Sequence, residues 1–127
     1  MPKKIIYTPY APEPIGPYSQ AVQFNGVLYV SGQIPVIPEK SEVISGGVDM
    51  QTSQVMKNIS AILEAAGYSL NDVVKCSIFI KDMNDFAKIN EIYARFFDAD
   101  NAPSRECVEV ARLPKDVLVE ISCIAVK

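Results

Sequence analysis

The residue types best suited to chemistry lie near the carboxyl end of the chain, in residues 105–121. Arg105 carries a planar, permanently charged guanidinium, which is suited to bidentate binding of a carboxylate. Glu120 can activate a water molecule if its pKa is raised, and like-charge repulsion from a nearby Glu109 would raise it. Alternatively, Arg105, Glu109 and Arg112 form ordinary ion pairs on the surface of a sheet. Spacing alone leaves both interpretations open.

The other reactive side chains are restricted by type. The chain contains no histidine, which excludes His-based catalytic triads and the commonest zinc sites. Its three cysteines, Cys76, Cys107 and Cys123, show no CxxC spacing, so we expect reduced thiols and no metal site. Cys107 is either a thiolate nucleophile or, like most strand cysteines, a small buried residue that contributes its backbone.

Composition and charge indicate a single globular domain over residues 1–127. Apolar residues make up 49% of the chain and charged residues 21%, values typical of one folded domain. The net charge is -3, without a basic cluster, which argues against nucleic acid or an anionic membrane as a partner. No apolar run approaches the roughly 18 residues of a membrane span, so we expect a cytoplasmic protein.

Hydrophobic periodicity predicts two amphipathic helices, over residues 49–66 and 85–97. Gly67 is placed to end the first helix, and Asn84 is a candidate N-cap of the second. In the second helix an aromatic-rich stripe is expected to be buried. That stripe consists of Phe86, Ile89, Tyr93, Phe96 and Phe97.

Strand signals surround these helices. Four prolines in residues 8–17 predict an extended surface arm. The last two predicted strands are expected to pair as a hairpin around residues 114–116. This order of elements predicts an α+β fold in which two helices cover one face of a mixed sheet. The predicted strands are residues 27–34, 73–82, 105–111 and 117–126.

The predicted hairpin fixes a register for the candidate site. It places Glu109 opposite Glu120, and alternation puts Arg105 and Cys107 on the same face as both. The backbones of Arg105 and Glu120 are then about 13 Å apart, roughly the span of a small ligand.

The opposite face of the predicted sheet is the one expected to lie under the helices. The face that carries Arg105 combines polar groups with Phe79 and Tyr29, a mixture that a symmetric oligomer would cover. The residues expected beneath the helices are Leu28, Val30, Ile34, Val74, Ile78, Ile80, Val108 and Val110.

Four segments of the sequence resemble the RidA (YjgF) family, and the resemblance extends from about residue 11 to residue 126. CVEVARLPKD at residues 107–116 is the longest match and the most specific. The other matching segments are IGPYSQAV at residues 15–22, VSGQIP at residues 30–35 and EAAG at residues 64–67.

The resemblance implies a chorismate-mutase-like α+β fold and a homotrimer with sites in the clefts between subunits. It implies hydrolysis of reactive imines and enamines, namely 2-aminoacrylate, 2-iminopropanoate and 2-iminobutanoate, to 2-keto acids and ammonia, with no cofactor or metal. In this family pattern Arg105 binds the substrate carboxylate, Glu120 activates water and Cys107 gives backbone support. The family's tyrosine, serine and asparagine fall on Tyr18, Ser31 and Asn90.

The sequence departs from the family pattern in two regions, residues 104–106 and residue 122. The usual Pro-Ala-Arg is Pro-Ser-Arg at residues 103–105, and Glu106 follows where a small residue is common. Ser122 stands where a second glutamate is frequent. Neither change removes a group named above, so we expect effects on substrate preference or trimer contacts.

A second function fits the same residues. A trimer that senses 2-keto acids or amino acids in these clefts, without turnover, would need Arg105 but not Glu120. Some members of the family have been described as ribonucleases or translation inhibitors, which a pI of about 4.9 argues against here.

Overall fold

The computed structural model describes residues 2–127, which contain eight β-strands and two α-helices. The helices are α1 (Val48–Ala65) and α2 (Phe86–Tyr93). The strands are β1 (Lys4–Ile6), β2 (Ala21–Phe24), β3 (Val27–Gln33), β4 (Val36–Ile37), β5 (Glu42–Val43), β6 (Val73–Ile80), β7 (Ser104–Glu109) and β8 (Val119–Val126).

Six of the eight strands form one mixed sheet in the order β1-β2-β3-β8-β6-β7, and β4 and β5 form a separate two-stranded ribbon. Both helices pack on one face of the large sheet, and the hydrophobic core lies between the helices and this face. The predicted α+β architecture is therefore confirmed. No helix within residues 2–127 is long and apolar enough to cross a membrane.

The helices follow the sequence prediction with changes at their ends. Helix α1 begins and ends one residue before the predicted bounds, and Gly67 follows it with a φ of 81°, a conformation that favours glycine. Helix α2 ends at Tyr93, earlier than predicted. Asn84 is not its N-cap, because Asp82 accepts a hydrogen bond from the Asn84 N–H at the start of a short 3₁₀ turn.

Strand β2 was not predicted, although the sequence contains a signal for it. Asn25 and Gly26 join β2 to β3, and both have positive φ, 52° and 77°. An Asn-Gly pair in this conformation is typical of a two-residue hairpin turn. The hairpin extends the sheet beyond β3 and places the preceding arm next to it.

The predicted hairpin of the last two strands is wrong. Strand β6 lies between β7 and β8, parallel to β7 and antiparallel to β8. The β6-α2-β7 segment is a crossover unit, in which a helix joins two neighbouring parallel strands. Glu120 consequently pairs with Phe79 on β6 and not with Glu109.

Because β6, and not β8, is the neighbour of β7, the candidate residues on β7 do not lie on the predicted face of the sheet. Arg105 pairs with Cys76, and Cys107 pairs with Ile78. Paired residues of neighbouring strands point to the same side, and Cys76 and Ile78 are buried in the core. Arg105 and Cys107 therefore lie on the helix-covered face, and Val108 is exposed on the other.

Other face assignments are corrected by shifts in register. In β6 the register with β8 shifts between Val73 and Lys75, and Val73 is buried while Val74 is exposed. A shift within β3 buries Gln33 and leaves Ile34 half-buried. Val110 lies beyond the end of β7 and is also half-buried. Strict alternation fails at these points because an irregularity reverses the side to which the following residues point.

Candidate functional site

Arg105 lies against one face of helix α2. Its guanidinium carbon is 5.6 Å from the ring centroid of Phe86 and 5.0 Å from that of Tyr93. These two rings are seven residues apart and so share a helix face, on which Asn90 also lies. The predicted burial of Phe86 is wrong, since its side chain is exposed at the edge of this face.

The Arg105 guanidinium has no acidic partner among the residues that the structure describes. Within residues 2–127 the ion pairs are Lys75–Glu106, Arg95–Glu91 and Arg112–Asp116, and no hydrogen bond involves the Arg105 side chain. The predicted alternative of ion pairs on the sheet surface is therefore wrong for Arg105 and Glu109, and Arg112 pairs with Asp116 in the loop after β7. Five N–H donors remain available for a ligand.

A cavity opens beside Arg105. Cys107 is the next residue of β7 on the same face, and burial raises the pKa of its thiol. A raised pKa disfavours the thiolate that a nucleophile requires. The cavity is lined by Asn90, Tyr93, Ala94, Phe97, Ala99, Ala102, Pro103 and Arg105.

Glu120 occupies a second recess, on the opposite face of the sheet. It is half-buried, and burial raises the pKa of its carboxyl group. Its carboxylate lies so close to Gly32 that a Cβ at that position would collide with it. The recess is lined by Ile15, Tyr18, Ser31, Gly32, Ile34, Pro114 and Glu120.

Ser31 and Tyr18 are held at the Glu120 recess by the neighbouring arm. The Ser31 hydroxyl donates to the Ser19 carbonyl at 2.6 Å, and the Ser31 N–H donates to the Gln20 carbonyl at 2.9 Å. Tyr18 is exposed beside them. The arm therefore forms one wall of the recess.

The six predicted site residues thus fall into two groups. Arg105, Asn90 and Cys107 lie on the helix side of the sheet, and Glu120, Tyr18 and Ser31 lie at the other recess. The prediction that Arg105 and Glu120 share a face is wrong. Three positions on β6 separate their paired partners, so their backbones are about 14 Å apart across the sheet.

Sequence reasoning missed two features of these recesses. It treated Tyr93 and Phe86 only as packing residues, although the spacing of Phe86, Asn90 and Tyr93 places all three on one helix face. It also gave no role to Gly32, which makes room for the Glu120 carboxylate. No local sequence pattern indicates that helix α2 packs against Arg105.

The unusual Glu106 lies away from both recesses. It is on the exposed side of β7, where it accepts a hydrogen bond from the Ser77 hydroxyl and lies 3.5 Å from the Lys75 ammonium. These two neighbours lower the pKa of its carboxyl group, the Ser77 hydrogen bond having the larger effect. Ser122 pairs with Ser77 on the other side of β6.

The fold and the two recesses define a small α+β protein with a free guanidinium for an anionic ligand. Residues 8–127 match the family model described as Endoribonuclease L-PSP. TdcF of Escherichia coli K12, named as a candidate reactive intermediate deaminase, is 51% identical over 127 residues, which cover 98% of each chain.

Two solved structures share the fold along nearly the whole chain. A Rid family protein of Yersinia pestis has a TM-score of 0.96 and 47% identity, with 99% of this chain and 100% of that chain covered. Escherichia coli TdcF with bound serine has a TM-score of 0.92 and 50% identity, with 98% of both chains covered. The chain belongs to the RidA (YjgF) family, is a homologue of reactive intermediate deaminases, and has the chorismate-mutase-like fold predicted.

Proposed function

We propose that the protein hydrolyses the small imines 2-iminopropanoate and 2-iminobutanoate, and their enamine forms such as 2-aminoacrylate, to 2-keto acids and ammonia. The observation that carries this proposal is the free guanidinium of Arg105, which suits the carboxylate common to these molecules. The relative TdcF binds serine, an amino acid with the same carboxylate. No cofactor or metal has a part in the proposed reaction.

We also propose that each complete site forms between two copies in a homotrimer. Arg105 and Glu120 point to opposite faces of one sheet, so a small ligand cannot contact both within one chain. A second copy that brings its Glu120 recess to the Arg105 cavity of the first would complete the site. The exposed Ile15 and Tyr18 at the recess suit such a contact.

In the proposed reaction, Arg105 fixes the carboxylate so that the imine carbon faces a water molecule beside Glu120. The imine reacts in its protonated form, and Glu120 accepts a proton from the water as the water oxygen bonds to the imine carbon, which gives a neutral carbinolamine. Glu120 then returns the proton to nitrogen, the C–N bond breaks, and ammonia leaves while Glu120 takes the hydroxyl proton as the carbonyl forms; that proton passes on to ammonia. An enamine enters the same reaction after protonation at carbon, which gives the protonated imine.

The decisive experiment generates 2-aminoacrylate with a serine dehydratase and follows pyruvate release. Wild type should accelerate release, and Arg105→Ala should abolish the acceleration because the carboxylate is no longer held. Glu120→Gln should retain pyruvate binding and lose about a hundredfold or more in turnover, the usual contribution of a general base.

Matched controls change the same residue types outside both recesses. Arg95→Ala and Glu91→Gln remove the members of an exposed ion pair and should leave turnover unchanged. Pyruvate binding by a wild type that does not accelerate release would contradict hydrolysis and favour a sensor. RNA cleavage that survives Arg105→Ala would indicate a different site altogether.

A further inference from the structure

The proposed reaction does not explain what orients the Arg105 guanidinium toward its ligand. A guanidinium that must bind a ligand needs a fixed orientation, yet no carboxylate within residues 2–127 pairs with Arg105 to orient it. Its immediate neighbours on α2 are instead the rings of Phe86 and Tyr93.

We propose that Phe86 and Tyr93 are positioning residues that orient the Arg105 guanidinium for its ligand through cation–π contacts. The inference rests on the proposed role of Arg105 as the carboxylate-binding group. A ring face attracts a cation without occupying its N–H donors. It also adds no negative charge that would repel the ligand, as an aspartate or glutamate in the same place would.

The surroundings of Tyr93 favour a fixed ring. Tyr93 is only 5% exposed, and its ring packs against Phe97 with centroids 4.9 Å apart. Its hydroxyl is buried without a hydrogen bond of normal geometry, and the Cys76 thiol lies nearby. Burial, and then Cys76, raise the pKa of this hydroxyl, so the ring remains neutral.

Phe86 has a different environment and gives an independent test. It is the first residue of α2, and its side chain is 38% exposed. Its replacement should therefore disturb the core little. An effect of Phe86→Leu on ligand binding would reflect contact with Arg105 and not loss of folding.

The test uses the arginine Nε–H signals in a nitrogen–proton NMR spectrum. The chain has three arginines, Arg95, Arg105 and Arg112, and the first and third are internal controls. The Arg105 signal should be displaced by ring currents in wild type. It should move toward the control signals in Phe86→Leu and Tyr93→Leu, and remain displaced in Tyr93→Phe, which keeps the ring.

Pyruvate affinity, measured by calorimetry, should fall about tenfold in each leucine variant, within the range of a partly desolvated cation–π contact. The control Phe96→Leu removes a ring packed against the core and should leave affinity unchanged. An unmoved Arg105 signal and unchanged affinity in Phe86→Leu would overturn the proposal, even if Tyr93→Leu does not fold. Pyruvate binding without imine hydrolysis would refute only the proposed function.

Discussion

At the scale of single residues, the environment of Glu120 suits a general base. A glutamate with an ordinary pKa is a weak base at neutral pH, and a raised pKa makes proton transfer from water easier. The cause here is burial, to which the close approach of Gly32 contributes by admitting the carboxylate. Glu109, once expected to raise this pKa, instead accepts a hydrogen bond from the Met83 N–H.

The raised pKa of Glu120 predicts the acid limb of the pH profile. Only the ionised carboxylate accepts a proton, so kcat/KM should fall as the pH drops through the pKa of Glu120. Because burial raises that pKa, the fall should begin at a higher pH than for an ordinary glutamate. The residual activity of Glu120→Gln should lack this limb; a limb that persists in the variant would assign it to another group.

The same carboxylate should reduce stability at neutral pH. Burial disfavours the charged form in the folded state, so ionisation costs free energy above the unfolded pKa. Glu120→Gln should therefore raise Tm at pH 7.5, with the difference shrinking toward pH 4, where both side chains are neutral. Equal melting curves at both values, measured by calorimetry, would show that the charge carries no such cost.

At the scale of elements, the proline-rich arm is held by one buried side chain. The Gln20 amide accepts from the Thr8 N–H and donates to the carbonyls of Thr8, Ala11 and Pro12, at 2.8 to 3.3 Å. Gln20 is 1% exposed. It substitutes for the strand pairing that prolines prevent, and so fixes the wall that carries Tyr18.

Gln20→Ala should release this arm. Loss of the amide leaves buried backbone groups without partners, which should cost about 1–3 kcal/mol of unfolding free energy. Faster amide exchange in residues 8–20 and a higher KM are expected, because Tyr18 loses its support. Gln54→Ala removes an amide whose bond is to Asn58 and is the control; equal exchange in both variants would contradict the assignment.

At the scale of the whole molecule, the two recesses predict complementation between inactive variants. In mixed trimers of Arg105→Ala and Glu120→Gln, some sites combine the intact Arg105 of one copy with the intact Glu120 of another. Random assembly should restore about one quarter of wild-type turnover if each site takes one residue from each of two copies.

The control for complementation is simple mixing without subunit exchange, which should restore nothing. Wild type should have a solution mass three times the 14.0 kDa of one chain. No recovery after co-refolding, with trimers present, would show that Arg105 and Glu120 do not meet across an interface.

The sequence by itself determined the helices and the class of fold. Apolar spacing within α1 and the stop at Gly67 are local properties, which need no knowledge of distant residues. The motif at residues 107–116 indicated the family, which the comparisons confirm. Arg105 and Glu120 were identified as candidates from residue type and from this resemblance.

Only the tertiary structure decided which strands are neighbours and therefore which faces the candidates occupy. Alternation shows that Arg105 and Cys107 share a side, but strand order decides whether that side is covered. The insertion of β6 between β7 and β8 joins segments distant in sequence, which no local pattern encodes. That insertion places Arg105 against α2 and separates it from Glu120.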